Sequence, residues 1–221
     1  MISIKNLYLS FTKEFDALHN INLEIEDGEK VAFVGETDSG KTMLLRVIAG
    51  LEKYKKGEVY IKNINLDRIN FKQDVQVGFV PKSFVFLNRK TVRENLEYIL
   101  KMRKFDSATI NLKILIALRA FDIENLQNVR VKDLLPYQKY LVELARITLR
   151  KIDLFLIDDI CSALDRDDAE KILLKFKELI DSNRNSTFVF AFTNRVYAEK
   201  LGLKIVNWKD GKIEENEEIS E

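Results

Sequence analysis

A short segment of the chain has the residue types and the spacing that hold a phosphate group. Residues 35–42 read Gly-Glu-Thr-Asp-Ser-Gly-Lys-Thr and match the pattern G-x-x-x-x-G-K-[ST]. Between a strand and a helix, this pattern lets successive backbone N–H groups surround a phosphate, while Lys41 reaches the outer phosphate oxygens and Thr42 ligates Mg²⁺. The alternative is a chance match in an ordinary strand-to-helix turn. The pattern predicts a nucleotide site made of Gly35, Glu36, Thr37, Asp38, Ser39, Gly40, Lys41, Thr42 and Met43.

Two adjacent carboxylates form a second candidate element. Asp158 and Asp159 directly follow the apolar run 154–157. An apolar strand that ends in a carboxylate brings this group to the edge of a sheet, where it can hold Mg²⁺ across from Thr42. We therefore expect Thr42 and Asp158 to be the metal ligands. The alternative is an ordinary strand end whose aspartate caps the next helix.

Hydrophobic periodicity predicts the strands that position these residues. Residues 31–34 form a short apolar run that suits a buried strand, and residues 41–49 have helical spacing, so the phosphate-binding segment joins a strand to a helix. The pair Asp27-Gly28 predicts a hairpin turn. Other strands are predicted at 2–8, 21–25, 57–66, 75–80, 154–157 and 187–192.

Helical patterning is concentrated in the middle of the chain. Thr91 and Glu94 have the spacing of a capping box, which marks the start of a helix. Helical spacing recurs at 110–121, 138–149, 167–180 and 196–201. We expect an α/β protein whose core comprises residues 1–87 and 151–221, with residues 88–150 inserted as a helical lobe that carries segment 134–138.

Composition and charge exclude several classes of function. The 221 residues include 36 Lys and Arg against 35 Asp and Glu, so no overall field favours nucleic acid, and none is expected as a partner. The single cysteine, Cys161, excludes an internal disulfide and suits a reducing cytosol. No apolar stretch is long enough to span a membrane and no signal peptide opens the chain, so we expect contact with a membrane only through a partner. The chain has only 8 Gly and 2 Pro, which makes each retained glycine informative.

The ordered set of motifs resembles the ATP-binding subunit of an ABC transporter, from about residue 2 to residue 214. The phosphate-binding segment is followed by a stretch at 91–96 that is close to the family's usual opening of the helical lobe. A signature-like segment at 134–138 comes next, followed by the acidic strand at 154–159, and residues 162–165 (Ser-Ala-Leu-Asp) match the family's D-loop. A final turn at 210–212 completes the set. The phosphate-binding segment alone would be generic, whereas the order is specific.

The resemblance implies a fold, a ligand and partners. The fold is a P-loop NTPase (RecA-like) core with an N-terminal antiparallel β subdomain and an inserted α-helical lobe. The ligands are ATP and Mg²⁺, and Phe11 would stack on adenine, with Phe15 or simple core packing as alternatives. The partners are a transmembrane ABC subunit and a second ATP-binding subunit, in a homodimer or, as favoured, a heterodimer. The location is cytoplasmic, peripheral to the membrane through the partner subunit.

Three positions depart from the family's pattern where hydrolysis would take place. Lys82 stands where the family carries a Gln that touches Mg²⁺ and the attacking water, and a lysine could instead pair with a phosphate oxygen or point to solvent. Asp159 stands at the position of the catalytic Glu, and its side chain is one methylene shorter. Asn194 replaces a His that senses the γ-phosphate. These three residues occupy the catalytic positions that the resemblance gives.

The family's signature Leu-Ser-Gly-Gly-Gln reads Leu-Leu-Pro-Tyr-Gln at residues 134–138, which removes the hydroxyl and the glycine amides that contact phosphate across a dimer. Pro136 still suits the first turn of a helix. Asp38 likewise replaces a usual glycine. We therefore expect ATP binding with weak or absent hydrolysis, in a regulatory half of a dimer.

Other interpretations stay open. A fully active ABC ATPase and a soluble ABC protein outside transport are the alternatives, and a small-molecule kinase is disfavoured by the D-loop and the signature placement. The apolar residues Phe84, Phe86 and Leu87 could form the docking surface for the membrane subunit, or could pack under the helical lobe.

Overall fold

The computed structural model describes residues 1–10 and 16–214, which contain ten strands, six α-helices and three short 3-10 helices. The strands are β1 (Ile2–Ser10), β2 (Asp16–Ile25), β3 (Lys30–Val34), β4 (Lys56–Ile61), β5 (Ile64–Asn65), β6 (Val77–Val80), β7 (Leu154–Asp158), β8 (Thr187–Phe192), β9 (Lys204–Lys209) and β10 (Lys212–Ile213). The helices are α1 (Lys41–Ile48), α2 (Val92–Met102), α3 (Ser107–Ala120), α4 (Pro136–Ile147), α5 (Arg166–Ser182) and α6 (Arg195–Lys200).

The larger sheet positions the candidate site. Its strand order is β10-β9-β3-β8-β7-β6, and β9, β3, β8, β7 and β6 are parallel, while β10 runs antiparallel to β9 at the edge. The carboxyl ends of β3, β8 and β7 therefore meet at one edge of the sheet. The phosphate-binding segment follows β3, Asp158 ends β7 and Thr193 follows β8, so chemistry-bearing residues from distant parts of the sequence converge there.

The smaller sheet is antiparallel, in the order β2-β1-β4-β5. The hairpin predicted at Asp27-Gly28 is wrong, because β2 belongs to this sheet and β3 to the larger one. The residues do form a tight turn, with Gly28 at φ 78°, but the turn carries the chain from one sheet to the other.

The prediction of a single strand at 57–66 is also wrong, because this segment forms two strands, β4 and β5. Lys62 and Asn63, at φ 50° and 62°, form the two-residue turn of a hairpin between β4 and β5, since two positive φ angles give a turn whose twist matches that of the flanking strands.

Two hydrophobic clusters cover the two faces of the parallel sheet. Alternate residues of a strand point to opposite faces, so Phe33 of β3 packs with the antiparallel sheet and α1, while Ala32 packs with the helices on the other side. Residues of β7 and β8 divide in the same way, with Leu156 on one face and Ile157 on the other. Burial on both faces explains the continuous apolar runs in these strands.

Helices α2, α3 and α4 lie in sequence between β6 and β7, which are neighbours in the parallel sheet. The predicted capping box begins α2: the Thr91 hydroxyl accepts from the backbone N–H of Glu94, and the Glu94 carboxylate accepts from the N–H of Thr91. Helix α4 begins at Pro136, as expected from its suitability for a first turn. Within residues 1–10 and 16–214, none of the helices combines the length and the apolar character needed to cross a membrane.

Candidate functional site

The two glycines of the phosphate-binding segment are required by close backbone approach. A Cβ on Gly35 would lie 1.9 Å from the carbonyl oxygen of Trp208, and a Cβ on Gly40, at φ 99°, would lie 2.3 Å from the carbonyl oxygen of Ala17. Asp38 has φ 61°, a left-handed conformation that aspartate adopts more readily than most residues. The loop thus keeps its tight path although one usual glycine is absent.

Lys41, the first residue of α1, folds back into this loop. Its ammonium group donates to the carbonyl oxygens of Gly35 (2.8 Å) and Glu36 (2.5 Å) and to the Ser39 hydroxyl (2.9 Å). Burial lowers the pKa of Lys41, and the negative charges of Asp159 and Asp158 oppose this effect. The ammonium group is therefore held by oxygen acceptors inside a cavity. A phosphate oxygen placed in this cavity would be an acceptor of the same kind.

The loop is fixed from behind by the end of β9 and the turn that follows it. The Ser39 carbonyl accepts from the Trp208 indole N–H (2.5 Å) and from the Gly211 N–H (2.8 Å). The turn at 210–212 is recognisable in the sequence as a motif, whereas Trp208 and Ala17 are not. No local pattern points to them, because they touch the loop only through the order of the strands.

Thr42 and Asp158 meet as the metal-site hypothesis requires. The Thr42 hydroxyl donates to Asp158 Oδ1 at 2.8 Å, and Asp158 is 3% exposed. Burial raises the pKa of Asp158, while the hydrogen bond from Thr42 acts in the opposite direction. No cluster of three or more His, Cys, Asp or Glu occurs among the described residues. One hydroxyl and one carboxylate oxygen fit Mg²⁺, which prefers oxygen ligands and takes the rest from phosphates and water.

Asp159 occupies a strained and buried position next to this pair. It has φ 37° and is 6% exposed, and its Oδ2 lies 3.4 Å from the Lys82 ammonium group. The Thr193 hydroxyl lies 3.4 Å from its Oδ1, at the limit of a hydrogen bond. The structure thus brings Lys82 and Asp159 together. Thr193 was missed in the sequence, although its place after a strand of the central sheet could have suggested it.

These residues line one cavity of about 430 Å³ at the carboxyl edge of the sheet. Its walls consist of Ala17, Thr37, Asp38, Ser39, Gly40, Lys41, Thr42, Met43, Lys82, Asp158 and Asp159. Gly35 and Glu36 take part through the carbonyl groups that hold Lys41. Nearly all of the residues predicted for the nucleotide and the metal therefore share one volume.

Asn194 is turned towards its own helix. Its side-chain oxygen accepts from the Val196 N–H at 3.0 Å and caps α6, and the residue is exposed and absent from the cavity wall. Its catalytic role stays a prediction. Phe11 and Phe15, the two candidates for stacking on adenine, lie outside the described residues.

The signature-like segment presents side chains that do not resemble a phosphate clamp. Leu135 precedes α4 and is 55% exposed, and its N–H donates to the Gln138 side chain at 2.9 Å. The Tyr137 ring lies 4.8 Å from the Lys171 ammonium group in a cation–π contact. The backbone of this segment is thus used to begin the helix.

The apolar loop residues after β6 divide between packing and exposure. The Phe84 ring lies 4.5 Å from the Tyr140 ring, edge to face, and the Phe86 ring lies 4.9 Å from the Arg146 guanidinium. Both phenylalanines pack against the core beside the helices, whereas Leu87 is 46% exposed. Of the two alternatives, a docking surface or packing under the helical lobe, packing therefore describes Phe84 and Phe86.

Comparison with known proteins gives consistent results. A family model described as ABC transporter matches residues 18–162. The chain is 32% identical over 210 residues to the osmoprotective compounds uptake ATP-binding protein GgtA of Synechocystis sp., covering 92% of this chain and 56% of that protein. It is also 32% identical over 216 residues to the sn-glycerol-3-phosphate import ATP-binding protein UgpC of Bartonella bacilliformis, covering 97% of this chain and 61% of that one. The chain thus spans between half and two thirds of the length of these curated relatives.

Among solved structures, the dimeric post-hydrolysis state of the ATP-binding cassette MJ0796, bound to ADP and Pi, superposes with a TM-score of 0.84 and 29% identity over 97% of each chain. The expected fold, a P-loop NTPase core with an antiparallel β subdomain, is confirmed by this likeness and by the two sheets. Because the family model covers more than half of the residues, the chain belongs to the ABC transporter family, as an ATP-binding domain.

Proposed function

We propose that this chain is the ATP-binding subunit of an ABC transporter, that it binds ATP with Mg²⁺, and that it hydrolyses ATP slowly or not at all. The observation that carries the proposal is the single cavity in which the loop amides, the Lys41 ammonium and the Thr42–Asp158 pair converge. Backbone N–H groups and the start of α1 favour phosphate there, because both supply positive potential.

Each residue of the cavity has a distinct task in this proposal. The loop from Gly35 to Gly40 would surround the phosphates and Lys41 would pair with their oxygens. Thr42 and Asp158 would hold Mg²⁺, which when bound supplies positive charge against the phosphate charge. Asp159, at the position of the general base, would accept the proton of an attacking water.

Slow hydrolysis is supported by the surroundings of Asp159. Its shorter side chain sets the carboxylate back from the position that a glutamate would reach, and its Oδ2 faces the Lys82 ammonium group. Asn194 cannot carry a proton charge, and its side-chain oxygen is engaged in capping α6.

Family membership supports a proposal for the partners and the location. We propose a transmembrane subunit and a second ATP-binding subunit, preferably a different one, at the cytoplasmic face of a membrane. The names of the relatives, with "uptake" and "import", support import as the direction. We also propose the division into a core of residues 1–87 and 151–221 and a helical lobe of residues 88–150, on the ground that α2, α3 and α4 are contiguous in sequence.

A fully active ATPase is the second candidate. It is favoured by the likeness to MJ0796, whose structure is described as post-hydrolysis with ADP and Pi. The soluble, non-transport alternative has no such observation in its favour.

The decisive experiment measures ATP binding and turnover on the same purified chain. Trp208 is the only tryptophan and its indole N–H bonds to the loop, so its fluorescence should report ATP with Mg²⁺. Lys41→Ala should abolish the fluorescence change, whereas Lys53→Ala, at an exposed lysine outside the cavity, should leave it intact. Turnover at ordinary ABC rates, lost in Lys41→Ala, would contradict slow hydrolysis and support the second candidate. Absence of any binding would contradict both.

A further inference from the structure

The cavity holds an unusual second cation. Lys82 comes from the loop after β6, and its ammonium group lines the same cavity as Lys41, Thr42 and Asp158. Its bonded partner among the described residues is Asp159. The side chain is 45% exposed while that of Asp159 is 8% exposed, so the lysine reaches from the cavity mouth towards a buried carboxylate.

The charges that line the cavity show what this lysine contributes. Three carboxylates, Asp38, Asp158 and Asp159, face two ammonium groups, those of Lys41 and Lys82, so the lining has a formal charge of −1. With a glutamine at position 82 the lining would have a formal charge of −2. A lining of negative charge opposes a polyphosphate, and a divalent cation normally offsets this.

The pairing of Lys82 is suited to exchange. The ammonium group is a compact charge on a flexible four-carbon stem, and the 3.4 Å separation from Asp159 is long for a charge-assisted hydrogen bond. Because almost half of the side chain is exposed, it can turn from Asp159 to a neighbouring oxygen without disturbing the core. A phosphate oxygen placed in the cavity is such a partner.

From these observations we infer that Lys82 is a resident cation of the phosphate site. It exchanges Asp159 for a phosphate oxygen of the nucleotide and thereby makes ATP binding less dependent on Mg²⁺. The inference rests on the proposed nucleotide site and adds a property to it, partial independence from the metal. Lys82 acts here by its charge and its reach, both of which a glutamine lacks.

The test compares ATP affinity in Mg²⁺ and in EDTA, measured by isothermal titration calorimetry on the full chain. We expect the loss of affinity in EDTA to be about tenfold larger, or more, for Lys82→Gln than for the wild type. Lys82→Arg, which keeps the charge, should behave as the wild type. The matched control is Lys62→Gln, because Lys62 forms an ion pair of similar length (3.2 Å, with Asp153) away from the cavity. Thermal unfolding of each variant verifies the fold.

The outcomes separate the two proposals. Equal losses in EDTA for the wild type and Lys82→Gln, with normal binding in Mg²⁺, would overturn the resident-cation inference and leave the nucleotide site standing. A Lys82→Arg variant that behaves like Lys82→Gln would also overturn it, because charge would then not be the cause. A wild-type chain that binds no ATP even with Mg²⁺ would overturn both proposals.

Discussion

At the residue scale, Asp159 is contacted by residues from two other parts of the chain. Its carboxylate contacts the Lys82 ammonium and the Thr193 hydroxyl, each at 3.4 Å, and its backbone N–H donates to the Ala191 carbonyl. The backbone hydrogen bond holds Asp159 at the edge of the sheet. The backbone of Asp159 is itself left-handed, so the position is held by the surrounding structure and not by local preference.

Lengthening this side chain should therefore change turnover. We expect Asp159→Glu to raise steady-state phosphate release from ATP by about tenfold or more, because a displacement of about 1 Å in a catalytic group can cost on the order of 10²-fold in rate. Asp159→Asn, which has the same length and no base, should fall below the wild type. If Asp159→Glu and the wild type release phosphate equally slowly, the reach of this carboxylate does not limit hydrolysis.

At the scale of elements, helices α2 and α4 each contain a specific polar contact. The N-terminus of α2 is closed by the reciprocal bonds of Thr91 and Glu94. Helix α4 carries Glu143, which is 1% exposed, and Arg146 Nη2 lies 2.7 Å from its Oε1 and 2.6 Å from its Oε2. Only the Oε1 contact has hydrogen-bond geometry, so Oε2 lacks a hydrogen-bond partner among the described residues. Helix α4 contacts β6, the strand that leads to Lys82.

The capping box should contribute measurably to stability. Thr91→Ala removes the acceptor for the Glu94 N–H, and we expect the free energy of unfolding in urea to fall by about 1 kcal/mol. Thr148→Ala is the control, since the Thr148 hydroxyl bonds only to carbonyl groups of its own helix, those of Leu144 and Ala145. A Thr91→Ala variant as stable as the wild type would show that the box is dispensable.

Glu143 should make stability depend on pH. Burial raises its pKa above the ordinary 4.5, and Arg146 opposes this only in part. The folded state then binds a proton more tightly than the unfolded state, so the stability that protonated Glu143 contributes is present below pH 4.5 and is lost as pH rises through the folded pKa. Glu143→Gln should flatten the fall in the free energy of unfolding over this window, measured by urea titrations at successive pH values. An unchanged slope would assign the pH dependence to other groups.

At the scale of the whole molecule, the signature-like segment bears on assembly. In the family it crosses a dimer to reach the partner's nucleotide, but here Leu135 is 55% exposed and Pro136 offers no N–H. A second copy of this chain would therefore present neither the serine hydroxyl nor the glycine amides of the family's signature to the phosphates. In the heterodimer that we propose, a different subunit would supply the groups that contact the phosphates bound to this chain.

We accordingly expect the purified chain to stay monomeric with ATP and Mg²⁺ in light scattering. The triple change Leu135→Ser, Pro136→Gly and Tyr137→Gly, made together with Asp159→Asn to retain ATP, should produce an ATP-dependent dimer. Leu174→Ser, at an equally exposed leucine of α5, is the control for a simple gain in surface polarity. An ATP-dependent dimer of the unaltered chain would contradict this account.

Much of the site could be predicted because its parts are contiguous in sequence. The loop 35–42 and the acid pair after β7 were recognised from a few neighbouring residues, and so were the capping box and most strands. One error is local, since the turn at 62–63 divides the strand predicted at 57–66, and the other concerns how two elements are related. Asp27-Gly28 was expected to close a hairpin, yet turn residues alone cannot tell whether the flanking strands pair with each other or enter two sheets.

The amino-acid sequence by itself determined the phosphate loop, the candidate metal ligands and the substitutions at positions 82, 159 and 194, because each lies within a motif of a few residues. It determined the family through the order of these motifs along the chain. The tertiary structure alone decided that Lys82 pairs with Asp159, 77 positions away, and that Trp208 holds the loop at Ser39, 169 positions away. Such contacts depend on the order of the parallel strands. The order of the strands depends on how both apolar faces of the sheet are packed against other elements. It therefore cannot be predicted from any short segment of the sequence.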